Sequence, residues 1–292
     1  MDLRGLGTAL ITPFDASGAV DYEALDRLLE IQLQGDVDYI VVLGTTGEAV
    51  TLTEEERRSV RQHIAQYVSG RLPLVLGLGG NCTTAVIATL KAMQDELISN
   101  YAAILSVCPY YNKPSQEGLY LHFSSIAQAS PIPVILYNVP GRTGVNLLPE
   151  TVMRIYNACP ERILGIKEAS GNIEQIKTLI TMAKDTDLLV ISGDDALACQ
   201  VMEAGGAGLI SVASNAWPKE LVTIVRHKNH ALQERFVPMI NLLFKEGNPS
   251  GIKTVLAQQG LICNVLRSPL VPNSPAVQDE IATARRLLST EE

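Results

Sequence analysis

Long apolar runs are missing from this chain, and so is an excess of positive charge. No stretch approaches the roughly 20 apolar residues that a bilayer-spanning helix needs. Its 31 acidic residues outnumber the 23 basic ones, for a formal net charge of −8. A nucleic-acid or anionic-membrane partner, each of which requires a basic footprint, is therefore not expected. The start, MDLRGLGTALITPF, lacks the apolar core and cleavage site of a secretory signal. Five cysteines (Cys82, Cys108, Cys159, Cys199 and Cys263) are scattered and form no CxxC pair. That usage fits reduced packing thiols in a cytoplasmic protein, with none marked as a nucleophile. Of the four histidines, His63 and His122 fall inside helix-like stretches, and His227 and His230 come after the last strand. None forms an HxH or HExxH pattern, so no metal is expected. GLGGN (77–81) does not fit GxGxxG, and no GxxxxGK[ST] occurs, so no nucleotide cofactor is expected either.

What is present is alternation. The 292 residues are 47% hydrophobic, enough for one large barrel or two ordinary domains. Short apolar runs predict strands at Thr8–Ile11, Tyr39–Leu43, Leu74–Gly77, Ala103–Val107, Val134–Tyr137, Ile163–Lys167, Leu188–Ser192 and Gly208–Ser211. Longer amphipathic stretches lie between them. Asp21 opens one with Leu25, Leu28, Leu29 and Leu33 on a single face, and Thr53 with Glu56 reads as a capping box. Asn172 can cap another helix, and Pro218 can occupy a first turn. Eight strand–helix units imply a parallel (β/α)8 TIM barrel, assigned to residues 1–228. Residues 229–292 read as a C-terminal helical extension, with helices at Ala231–Phe244, Ser250–Gln259 and Ser274–Leu288.

A barrel of this kind carries its chemistry at the carboxyl ends of the strands. The unusual polar residues follow the strands here: GTTGEA (44–49), CPYYNKP (108–114), YNVPGRTG (137–144), Lys167 and SGDDA (192–196). The amino ends carry little beyond prolines such as Pro73, Pro131 and Pro133. Lys167 ends the buried run Ile163-Leu164-Gly165-Ile166, where an ammonium is costly unless it is paired or loses its proton. A neutral amine is the form that attacks a carbonyl. The alternative is a lysine that reaches from the strand end into solvent. Each other segment also has an ordinary reading: GTTGE as a polar turn, Tyr137 as a core aromatic, Arg142 as a solvated surface residue, and Asp194-Asp195 as helix caps. The sharper readings are a carboxylate cradle at Thr45-Thr46, a proton-relaying hydroxyl at Tyr137 and a bidentate carboxylate clamp at Arg142. With no metal or nucleotide motif, imine formation on Lys167 is the natural route to an activated carbonyl.

GTTGE, YYNKPSQEG, YNVPGRTG and GIKEASGN, in this order, resemble the dihydrodipicolinate synthase (4-hydroxy-tetrahydrodipicolinate synthase) family. This is the lysine-pathway branch of the class I pyruvate aldolases and lyases, which also include N-acetylneuraminate lyase. The resemblance covers essentially the whole chain. It implies a homotetramer built as a dimer of dimers, and condensation of pyruvate with L-aspartate-4-semialdehyde. No cofactor is implied beyond the covalent pyruvate–lysine imine. Carried over by motif, Lys167 forms the imine, and Tyr137, Thr45 and Tyr111 form a hydroxyl relay, with Tyr111 reaching in from a neighbouring subunit. Thr46 binds the pyruvate carboxylate, Arg142 receives the second substrate's carboxylate, and Gly193 and Ile210 line the site.

Two other readings remain open at this point. One is a sugar-acid aldolase of the same superfamily, and the other is a barrel that only binds an oxo-acid. The doubled tyrosine Tyr110-Tyr111 and Arg142 favour the lysine-pathway activity. Family members inhibited by L-lysine bind it with a serine, a histidine and a glutamate where this chain has Ala49, Arg57 and Ala85. Asn81 and Tyr110 are retained, and Glu54 could supply a substitute carboxylate. Weak or absent inhibition by lysine is therefore expected.

Overall fold

Glycines at the start of the chain decide where the first strand runs. A computed structural model describes residues 2–93 and 98–289. Its first strand, β1, covers Gly5–Ala9, three residues earlier than the apolar pattern suggests. A Cβ on Gly7 would lie 2.1 Å from the Tyr39 ring, so only glycine lets β1 pass that buried aromatic. Glycines hide a strand from propensity, whereas Leu10 and Ile11 are buried beyond its end and mimic one.

The remaining strands are β2 (Tyr39–Val42), β3 (Leu74–Gly77), β4 (Ala103–Val107), β5 (Val134–Asn138), β6 (Ile163–Glu168), β7 (Leu189–Ser192) and β8 (Gly208–Ser211). Each pairs in parallel with the next, and β8 returns to β1 through Gly5↔Gly208 and Thr8↔Ser211. Among the described residues these eight strands close a (β/α)8 barrel. Its interior is filled by Tyr39, Val41, Val75, Leu105, Ile135, Ile191 and Ile210, and a second apolar layer joins the barrel to its helices.

The helices between the strands start as their sequences direct. Asp21 caps α1 (Tyr22–Gln34), and Thr53 and Glu56 form the full capping box of α2 (Glu54–Val68). The ring continues with α3 (Thr83–Ala92), α4 (Gln116–Ala129), the single turn α5 (Pro140–Thr143) and α6 (Pro149–Ala158). It ends with α7 (Ile173–Ala183, capped by Asn172), α8 (Ala198–Glu203) and α9 (Pro218–His227). His63 and His122 lie within α2 and α4 as expected. The amino end of the barrel is clamped by Asp38, which accepts the Leu6 N–H at 2.7 Å and Arg226 Nη2 at 2.9 Å.

The chain then adds α10 (His230–Phe244), α11 (Ser250–Gln258) and α12 (Pro275–Ser289). Every residue of α11 from Ser250 to Leu256 is buried, so it is a core helix and not an appendage on the surface. No helix among the described residues is long and apolar enough to cross a membrane.

Candidate active site

Strand pairing brings the two central side chains together. Tyr137 and Lys167 are direct partners across the β5–β6 ladder, both inward-facing and each only 6% exposed. Lys167 Nζ lies 4.5 Å from the centre of the Tyr137 ring. The next residues along, Asn138 and Glu168, pair as well and face outward. Fully buried Glu168 accepts bonds from Asn138 Nδ2 (2.9 Å), Gln175 Nε2 (3.1 Å) and the Ser170 N–H (2.7 Å). These bonds fix the ends of both strands, and with them the spacing of the amine and the phenol.

Gly193, just after β7, lies against the lysine. A Cβ there would be 2.9 Å from Lys167 Cε and 2.6 Å from Ala169 Cβ, so a side chain would displace the amine. The Gly193 N–H bonds the Glu168 carbonyl at 2.7 Å. Ile210 is fully buried on β8, paired with Gly7.

GTTGE forms a tight turn beyond β2, closed by Gly47 N–H on Gly44 O (3.1 Å) and Glu48 N–H on Thr45 O (3.2 Å). Thr12 anchors it through a 2.7 Å bond to Gly47 O. Thr45 is exposed at the crest, whereas Thr46 is 3% exposed and accepts a bond from Asn248 Nδ2 at 3.0 Å. The Asn248 carbonyl in turn accepts Arg142 Nη2 at 3.3 Å. Arg142 occupies α5, a single turn ended by Gly144 at φ 74°. The loop before α11 thus ties the threonine turn to the arginine.

Tyr111 stands apart. It is 88% exposed in its own chain and adopts φ 75°, unfavourable for a tyrosine. Its N–H holds Thr143 O at 3.3 Å, which attaches the tyrosine loop to α5. Within one chain the Thr45, Tyr137 and Tyr111 hydroxyls are not hydrogen-bonded to one another.

These observations meet the comparisons with known proteins. Residues 2–286 match the Dihydrodipicolinate synthetase family. The chain belongs to that family. It is 46% identical to the 4-hydroxy-tetrahydrodipicolinate synthase of Parabacteroides distasonis, over 99% of this chain and 98% of that one. The crystal structure of dihydrodipicolinate synthase from Thermotoga maritima superposes with a TM-score of 0.93 at 37% identity, covering 99% of both chains. The chloride-inhibited dihydrodipicolinate synthase of Acinetobacter baumannii, solved in complex with pyruvate, superposes with a TM-score of 0.91 at 37% identity. It covers 97% of this chain and 98% of that one.

Against the expectation of paired caps, the two aspartates after β7 have different roles. Asp194 caps the short turn beyond the strand, accepting the Ala196 N–H at 2.9 Å. Asp195 is buried and accepts the Ser211 hydroxyl and the Val212 N–H, so it staples β7 to the end of β8. Burial raises the carboxyls of both above their usual range.

Sequence reasoning passed over Asn248, Glu48 and Lys253. Asn248 lies 202 residues from the Thr46 it supports, a separation that no local pattern bridges. A lysine among the apolar residues Ile252, Val255 and Leu256 of α11 was the available hint.

Proposed function

We infer that this chain is a 4-hydroxy-tetrahydrodipicolinate synthase, joining pyruvate to L-aspartate-4-semialdehyde on the way to lysine and diaminopimelate. The single observation that carries the reading is the buried Lys167 amine placed beside Tyr137 at the carboxyl end of a family barrel. The Lys167 nitrogen attacks the keto carbon of pyruvate, and loss of water leaves an iminium. That cation acidifies the neighbouring methyl group, which gives up a proton to form an enamine. The enamine carbon bonds to the aldehyde carbon, and the oxygen formed there takes up a proton. The second substrate's amino group then adds to the former keto carbon and expels Lys167, which closes the six-membered ring and frees the enzyme.

Tyr137 is the group best placed to move protons at Lys167. Thr46, held by Asn248, offers its hydroxyl to the pyruvate carboxylate, and Thr45 and Tyr111 extend the relay. Arg142, at the rim, receives the second carboxylate. Gly193 and Ile210 shape the wall behind the amine. The arginine also favours this activity over the sugar-acid alternative, since a carboxylate takes a charge-assisted bidentate contact that neutral hydroxyls do not.

Exposed Tyr111 and Val50 (88% and 84%), in the loops after β4 and β2 at the same end of the barrel, support a dimer in which Tyr111 completes the partner's site, and we extend this to a dimer of dimers. Free thiols at all five cysteines support a cytoplasmic setting. Product formation from pyruvate and aspartate semialdehyde, measured against neuraminate and 2-keto-3-deoxygluconate cleavage, tests the assignment. A faster sugar-acid reaction would replace it.

A further inference from the structure

Lys253 has no exposed surface, and its ammonium is ion-paired with Glu48, which is itself buried. The lysine also donates to Val265 O at 3.1 Å and lies 4.1 Å from the centre of the Phe14 ring. Arg267 stacks on the same ring at 4.5 Å, and its backbone N–H donates to Glu48 Oε2 at 3.2 Å. The Arg267 guanidinium holds the carbonyls of Gly18 and Thr51 and the Glu56 carboxylate. The Lys253–Glu48 pair is thus sealed beneath the loops that follow β1 and β2, with the half-buried Arg267 at its edge.

A buried ion pair is a poor device for stability alone, because desolvating two charges costs about as much as their attraction returns. Two facts give this one a second use. Glu48 closes the threonine turn through its N–H bond to Thr45 O, and it does so at φ 51°, a left-handed conformation that a glutamate does not choose unaided. The same extension also reaches Thr46 directly, through Asn248.

We propose that Lys253 is a positioning residue for the pyruvate site: through Glu48 it holds the Thr45–Thr46 turn in the shape that receives the substrate carboxylate. The proposal rests on the reading of Thr46 as that carboxylate's partner. Lys253 touches no reacting atom. Its removal should weaken pyruvate capture and leave the aldehyde step nearly unchanged.

The test is Lys253→Met, assayed by the pyruvate concentration that half-saturates borohydride trapping on Lys167, with thermal unfolding recorded beside it. A rise of about tenfold or more is expected, while the KM for aspartate semialdehyde stays within about threefold. A purely structural pair would lower the unfolding temperature without moving pyruvate half-saturation. A folded variant within about twofold of wild type therefore overturns the proposal. Should Lys253→Met fail to fold, Glu48→Gln keeps the side-chain volume and is judged by the same two thresholds. Thr46→Val is run in parallel. If it alone weakens trapping, the positioning role is wrong and the carboxylate reading stands. If it leaves trapping unchanged, the carboxylate reading falls and the proposal falls with it.

Discussion

Tyr137 and Lys167 face each other across one ladder step, with the lysine nitrogen 4.5 Å from the ring centre. Both side chains are positioned by backbone pairing and not by a loop, so the amine and the phenol keep their spacing without substrate. Lys167→Ala should abolish imine formation and leave the fold intact, because it removes a buried amine and breaks no ladder bond. Turnover below about a hundredth of wild type is expected, with unchanged or slightly higher thermal stability. A folded variant with more activity than that would place the nucleophile elsewhere.

Arg142 touches the site only through its bond to the Asn248 carbonyl, which leaves most of its donors open to a ligand. Arg142→Ala should lower kcat/KM for the aldehyde substrate by roughly a hundredfold, the loss expected for a bidentate carboxylate contact. Pyruvate trapping on Lys167 should survive. Equal losses for both substrates would mean that the arginine organises the whole pocket.

Tyr111 offers a test of shared sites. Its exposure and left-handed backbone suit a side chain that enters a neighbouring subunit. Tyr111→Phe should slow imine formation. Hybrids of Tyr111→Phe and Lys167→Ala subunits should regain activity, since one of their two sites would be intact. Verified hybrids without activity would confine Tyr111 to its own chain.

Feedback by lysine should be weak. Both carboxylate oxygens of Glu54 are already occupied, Oε2 by Arg57 (3.0 and 2.8 Å) and Oε1 by Arg61 (3.3 Å). Arg57 further holds the carbonyls of Ala49 and Leu52, each at 3.1 Å. The Glu54 charge is thus already matched by two arginines, which weakens it as a replacement for the acceptor missing at Ala85, and Arg57 adds a like charge beside a cationic ligand. Asn81 is engaged as well, bonding Tyr110 O at 3.2 Å. Titration at neutral pH should show little inhibition below millimolar L-lysine, and half-inhibition at micromolar levels would contradict this.

Stability should depend on pH through Lys253. Burial pushes its ammonium down to about 8 from the ordinary 10.5; Glu48 opposes the fall and Arg267 adds to it. The unfolded chain then binds the extra proton between about 8 and 10.5, so stability should rise with pH across that window. The cost of burying the charge is fully present below pH 8 and gone above 10.5. The wild-type unfolding temperature relative to that of Lys253→Met should climb through this range. A flat difference would show that Lys253 keeps its proton throughout.

The repeating βα units, the capping box at Thr53 and the polar strand ends were legible because each depends on residues near in sequence. Period-two alternation along β5 places Tyr137 on the same face as Ile135, and both line the interior. β1 was misplaced because its glycines serve distant side chains, Gly5 the Asp38 carboxylate and Gly7 the Tyr39 ring. Asn248, Glu48 and Lys253 escaped for the same reason. Their partners come from opposite ends of the chain, and a fully buried lysine has no periodic signature when its charge is matched from another element. Asp195 resembled its neighbour in sequence and differs only in what β8 offers it.

The most direct test of the covalent mechanism is to treat the wild-type enzyme with pyruvate and borohydride, digest it, and weigh the peptide containing Lys167. A mass gain of one reduced pyruvate adduct on Lys167, rising in step with loss of activity, is predicted. Loss of activity with the adduct on another lysine, or full activity with no adduct at all, would contradict the mechanism.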